Sequence, residues 1–177
     1  MKLSKTERWI LNNQYEILEK LDPKNKDHYS KCREILENGY ELLYSEISQN
    51  IYDDKDTLNS DGAKYVYKVL DMFYALGRFY KNSKSESKFK KSDLAFMGFD
   101  GNDSIEVKYL AFARFNREYD GTPSEVIDGS DGFNSHMPTL DIYDRMLSAW
   151  QASKDKYNLI TEDVERILAS KTHPSNR

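Results

Sequence analysis

The chain has 177 residues, 38% hydrophobic and 32% charged, and a formal net charge of −4. That length suits one domain with a sizeable core, and the slight acidity argues against a general nucleic-acid binder, which needs excess positive charge to match phosphates. A single cysteine, Cys32, excludes an intrachain disulfide, and His28, His136 and His173 stand at spacings that build no zinc cluster around it.

The opening residues MKLSKTERW lack the apolar run of a signal peptide. The expected compartment is cytoplasmic. Ser4 and Glu7 have the capping-box spacing, so a first helix starts there. Trp9, Ile10, Leu11, Tyr15, Ile17, Leu18 and Leu21 then recur at helical intervals. Asp22-Pro23 breaks that helix and starts a second, with Asp22 as N-cap and Pro23 at the first helical position. Tyr29, Cys32, Ile35 and Leu36 share one face of it, and Gly39 after Asn38 supplies the left-handed cap. A short connection of this kind implies an antiparallel pair. Tyr40 to Ile47 reads as a third helix, followed by a polar, acidic loop to Asp61.

The organising element is the stretch 61–81. Between its charged ends, Asp61 and Lys81, the polar residues Lys64, Lys68, Asp71 and Arg78 trace one narrow stripe with Ala75, and the rest is apolar or glycine. A helix apolar nearly all round is a buried helix. The four charges also rule out a membrane span.

Asn82 to Ser92 reads as an exposed Lys- and Ser-rich loop. Leu94 to Phe99 is compatible with an extended segment or a last helical turn. Asp103 and Glu106 repeat the capping-box spacing before a helix carrying Ile105, Tyr109, Leu110, Phe112, Ala113 and Phe115. Glu118 to Asn134 is a long Gly-rich loop, of the length that is often functional. Pro138 starts a helix with Leu140, Ile142, Tyr143, Met146, Leu147 and Trp150. Thr161 is the expected N-cap of the last helix, and the tail from Ser170 is expected to fray. The fold class is therefore all-α: a single multihelical domain of six to seven helices around the 61–81 helix, with long irregular loops at 82–103 and 118–137.

No phosphate loop, nucleophile elbow, zinc-helix motif or dinucleotide fingerprint is present. The pattern points to no catalytic residue, cofactor or metal. His136 beside Asp128, Asp131 and Asn134 has the makings of a base or ligand, and also of a simple turn, because Asx and Gly residues adopt the dihedrals such loops need. Gly98-Phe99-Asp100 and Gly132-Phe133-Asn134 alternate glycine, aromatic and Asx; they read as pocket walls or as buried aromatic plugs. Lys81, Lys84, Lys88, Lys90 and Lys91, opposed by Glu86, form a basic loop that reads as a solvated face before it reads as a phosphate contact. Tyr40–Ile47 and the following helix are too far apart for a helix-turn-helix. Cys32 reads as a buried free thiol.

Several runs resemble the YfbU family of bacterial proteins: Trp9-Ile10-Leu11-Asn12-Asn13-Gln14-Tyr15 with Leu21-Asp22-Pro23, Asp71 to Leu76, and Phe96-Met97-Gly98-Phe99-Asp100. The others are Tyr109-Leu110 to Arg114-Phe115, Gly132-Phe133-Asn134, and Tyr143 to Leu147 with Trp150. The resemblance covers most of the chain in order. It implies a multihelical cytosolic domain over 1–170, a tail at 171–177, and no assigned activity or catalytic residues to carry over.

The leading expectation is a non-enzymatic protein-interaction domain that self-associates as a homo-oligomer. It has more aromatics than a small core needs, and surplus Tyr and Trp are typical interface anchors. The alternative is an enzyme or small-ligand binder with a site between the Phe96–Gly101 and Gly129–His136 loops, using Asp100, Arg114, Asp131, Asn134, His136 and Arg145. Neither a membrane nor a nucleic-acid partner is expected.

Overall fold

The computed structural model describes residues 1–83 and 88–173. Among them are seven α-helices: α1 Lys5–Leu21, α2 Lys26–Asn38, α3 Tyr44–Ile47, α4 Ser60–Asn82, α5 Glu106–Phe115, α6 Leu140–Gln151 and α7 Thr161–Ala169. Extended pairing is limited to isolated bridges, so the fold is all-α. Where the sequence shows no boundary, the chain groups into two compact units, Met1–Thr57 and Leu58–Arg177.

The first unit is built on a helical hairpin. The Ser4 hydroxyl accepts from Glu7 N while Glu7 takes the Ser4 N–H, so the capping box that opens α1 is complete. Arg8 donates to the Leu36 carbonyl at 2.8 Å and Tyr29 donates to Asp22 at 3.0 Å, which pairs α1 antiparallel with α2. Gly39 closes α2 at φ +70°, and Cys32, Ile35 and Leu36 are its buried residues. Burial pushes the Cys32 thiol up, as a structural cysteine requires. Two expectations are corrected here. Asp22 does not cap α2: its carboxylate is taken by Asn25 and Tyr29, and Pro23 opens a single tight turn, with α2 beginning at Lys26. The third helix is tight from Glu41 to Leu43 and α-helical only from Tyr44.

The second unit packs around α4. Val66, Val69, Met72, Phe73, Ala75 and Leu76 have no exposed surface, and α5 and α6 lie against them. Met72 is buried in this core, and Tyr65 and Phe79, seven residues to either side of it, pack against the same core partly buried. The predicted polar stripe is narrower than its spacing suggests, because Ala75 is buried. Tyr157 lies beside Asp71, and Arg78 donates to Asn158 Oδ1 at 3.3 Å, so the segment carrying Tyr157 and Asn158 lies against the stripe. Two residues beyond Ala75, Glu125 lies directly on Gly77, where a Cβ would fall inside its carbonyl oxygen.

The tail is better anchored than expected. Arg145 donates to the carbonyls of Ser170 (3.0 Å) and Lys171 (2.8 Å), and Lys171 Nζ donates to the Asp93 carbonyl. Of the Lys-rich loop, Lys81 pairs with Glu125 and Lys88 with Glu165. Lys84, Glu86 and the tail from 174 lie outside the described residues.

Candidate functional site

The two loops singled out by sequence meet. Phe96 bridges to Asp128 and Phe99 to Asn134, both in parallel register. What fills the junction is aromatic: Phe96 stands 5.0 Å from Phe133, 5.5 Å from Phe99 and 5.2 Å from Phe73, centroid to centroid. Tyr143 closes the cluster and donates to the Gly98 carbonyl at 2.7 Å. Edge-to-face packing of this kind adds to burial. The phenylalanines are therefore plugs that anchor both loops. Gly98, at φ +89°, lets the Phe133 carbonyl approach where a side chain would stand.

The six candidate polar residues divide accordingly. Asn134 is the clip between the loops: its Oδ1 accepts from Gly101 N (3.0 Å) and His136 N (3.1 Å). His136 is exposed at φ +54°, a turn residue. Asp131 is exposed and receives Asn134 N on its carbonyl. Arg114 donates to the Gly132 carbonyl at 2.6 Å. Asp100 is buried, and its carboxylate accepts from Asn102 N and Nδ2. Arg145 is engaged with the tail, apart from the other five.

The residue that organises this region is Glu106. Asp103 caps α5 as expected, accepting from Ile105 N and Glu106 N at 2.8 Å. These bonds hold its carboxyl below the usual range, the one from Glu106 most. Glu106 does not complete a capping box. It turns inward, 2% exposed, and accepts from Asp100 N, Thr139 N and Thr139 Oγ1, all at 2.8 Å, and from Leu140 N at 3.2 Å. A buried carboxylate is tolerable when donors surround it. This one caps α6 from another helix, at the positive end of its dipole.

A separate cleft of about 270 Å³ opens beside α4 in the second unit, and none of the six candidates lines it. Tyr67, Asp71 and Tyr74, one face of α4, form one wall; Asp120 and Thr122 form another, and Tyr157 the third. The second wall is shaped by a π-turn, Asn116–Asp120, that ends α5 with a Gly121 N–H to Asn116 carbonyl bond. Such turns are frequent at functional sites. Tyr157 is fixed edge-on to Trp150 at 6.0 Å and lies beside Asp71, whose charge pushes the Tyr157 hydroxyl up. Partial burial pushes the Asp71 carboxyl up, and the Tyr157 bond offsets part of that. Asp71 and Asp120 form no salt bridge among the described residues. The Thr122 hydroxyl is buried without a partner there. Sequence reasoning missed the cleft, since Tyr67 and Tyr74 read as core and Asp71 as a solvated stripe. The surplus of tyrosines was its one signal.

The arrangement at the loop junction is structural, and the Gly-Phe-Asx runs that form it lie within a known domain. A model of the YfbU domain matches residues 1–170, and the chain belongs to the YfbU family.

Proposed function

We propose that this protein is a non-enzymatic interaction domain that self-associates through α1. The observation that carries this reading is that none of the residues of α1 is buried, although the helix is strongly amphipathic. Trp9 is 67% exposed and Leu21 75%, and Ile10, Ile17 and Leu18 join them. Taking roughly 200 Å² for a large side chain in the open, the five present about 600 Å². That is the upper limit of an ordinary surface patch, and two copies together would bury about 1,200 Å², the lower end of a stable interface.

The pattern within the face favours a second copy over a dissimilar partner. Trp9, Asn13, Ile17 and Leu21 form one row at spacing four, and Ile10, Gln14 and Leu18 form the next. Each row carries an amide between its apolar residues. Antiparallel pairing about a two-fold axis between residues 13 and 14 sets Trp9 over Leu18, Ile10 over Ile17 and Asn13 over Gln14 of the second copy. The amides then satisfy one another and fix the register. Antiparallel dipoles compensate, whereas parallel pairing would bring Lys2 and Lys5 together at two positive helix ends.

Sedimentation equilibrium tests the reading. The expected result is a dimer dissociating in the micromolar range, and a folded monomer for Ile17→Glu. A wild-type chain that stays monomeric at about 100 μM would overturn it.

A further inference from the structure

The cleft beside α4 is a cavity with three tyrosines in its walls, and the charged groups that line it among the described residues are the carboxylates of Asp71 and Asp120. Its tyrosines are held in place rather than free. Tyr67 packs edge-on to Phe112 at 5.3 Å, and its hydroxyl lies 3.5 Å from Asp120 Oδ2. Tyr74 and Tyr157 stand 6.4 Å apart at 59°. The Asp155 carboxylate takes the Tyr157 and Asn158 N–H groups, which fixes the segment that carries the third ring. The protein already uses one of these rings for a cation: the Arg78 guanidinium stands 5.8 Å from the Tyr74 centroid and donates to Asn158 at 3.3 Å.

We propose that this cleft binds a small organic ammonium ion, with the rings of Tyr67, Tyr74 and Tyr157 packed around the cationic head and Asp71 and Asp120 supplying the counter-charge. Aromatic rings attract ammonium groups through their negative faces, most strongly where water is excluded. A hard divalent metal fits the walls poorly, since it asks for six or more oxygen ligands. No group of three or more acidic, His or Cys side chains is poised for a metal among the described residues. The Asp71 carboxylate is partly desolvated and has no cationic partner, a cost that a bound ammonium would relieve. The proposal is independent of self-association, because every residue in it belongs to the second unit.

The test is an amide-resolved NMR titration of the intact chain with choline and with putrescine. The control ligand is 3,3-dimethylbutan-1-ol, the neutral isostere of choline. The expected result is saturable binding of at least one amine, with shifts centred on Asp71, Tyr74 and Gly121, and at least tenfold weaker binding of the neutral isostere. A response to choline alone identifies a quaternary head group, and a response to putrescine alone a primary amine. Asp71→Asn and Tyr74→Leu each weaken binding at least tenfold, while Tyr74→Phe, which keeps the ring, stays within twofold. A native spectrum of each unliganded variant separates lost binding from lost fold. Absence of saturation below about 20 mM for both amines, or equal binding of the isostere, would overturn the proposal.

Discussion

Glu106→Gln is the substitution that most sharply tests the account of the loop junction. Gln is isosteric, so volume and packing are kept. Its carbonyl oxygen can serve Thr139 N and Leu140 N as Oε1 does now. Its amide nitrogen then occupies the Oε2 position, facing Asp100 N and Thr139 Oγ1. Thr139 can turn its proton to the Gly98 carbonyl, 3.2 Å away, and accept from the new amide. Asp100 N–H has no such escape and is left against another donor, which costs about 1–3 kcal/mol. Removing a buried negative charge from the N-terminus of α6 costs about 1 kcal/mol more. The sum, about 2–4 kcal/mol, corresponds to a fall in Tm of roughly 5–15 °C at this chain length. Thermal unfolding followed by the buried Trp150 reports it directly. A Tm within about 2 °C of wild type would mean that Glu106 is not the cap of α6 and that the junction is held by its aromatic rings alone.

Other outcomes follow from the same geometry. Gly98→Ala and Gly77→Ala drive a methyl into the Phe133 and Glu125 carbonyls and should cost more than about 3 kcal/mol each. Gly121→Ala, at positive φ like Gly98 but with nothing within 4 Å, should cost only about 1 kcal/mol; similar urea midpoints for all three would refute this. Native Cys32 should react with a thiol reagent only at the rate of local unfolding, because it is 3% exposed and burial pushes its thiol up. Asp22, Asp103 and Asp155 carboxyls are held low by hydrogen bonds, to Asn25, to Glu106 and Ile105 N–H, and to Asn158 respectively. Their contribution is complete above the unfolded value of about 4 and is lost as pH falls through their lower folded values. Tm should therefore decline below about pH 4, and Asp103→Asn should flatten that limb. An unchanged acid limb would contradict the role of Asp103.

Local signals were readable because they act within one turn. Ser4 with Glu7, Gly39 after α2, and the apolar girth of α4 each declare themselves by spacing alone. The Asp103–Glu106 pair shows the limit. The same spacing permits Glu106 to turn back to its own helix or inward, and the choice is made by Thr139, 33 residues away. Ala75 read as part of a polar stripe because period reports one helix, not the segment with Tyr157 and Asn158 that lies against it. The Gly-Phe-Asx runs were recognisable as aromatic plugs, yet their pairing through Phe96, Phe99 and Asn134 is tertiary. Of the candidate residues, Arg145 spends its guanidinium on the Ser170 and Lys171 carbonyls, 25 and 26 residues away, which no spacing within its own helix reveals. On α4, Tyr67, Asp71 and Tyr74 fall on one face at spacings of four and three, as core and cleft residues both do. Only the π-turn opposite them distinguishes the two, and it depends on how α5 ends.

The claim on which the functional reading turns is that α1 meets a second copy of itself, antiparallel, about residues 13 and 14. The most direct measurement is disulfide capture in a Cys32→Ala background, comparing Asn13→Cys, beside the proposed axis, with Thr6→Cys, two turns from it. The account predicts rapid oxidation of the Asn13→Cys chain to a species of twice the monomer mass, and none above background for Thr6→Cys. Equal capture at both positions would show a parallel or unspecific contact, and capture at neither would show that α1 does not pair with itself.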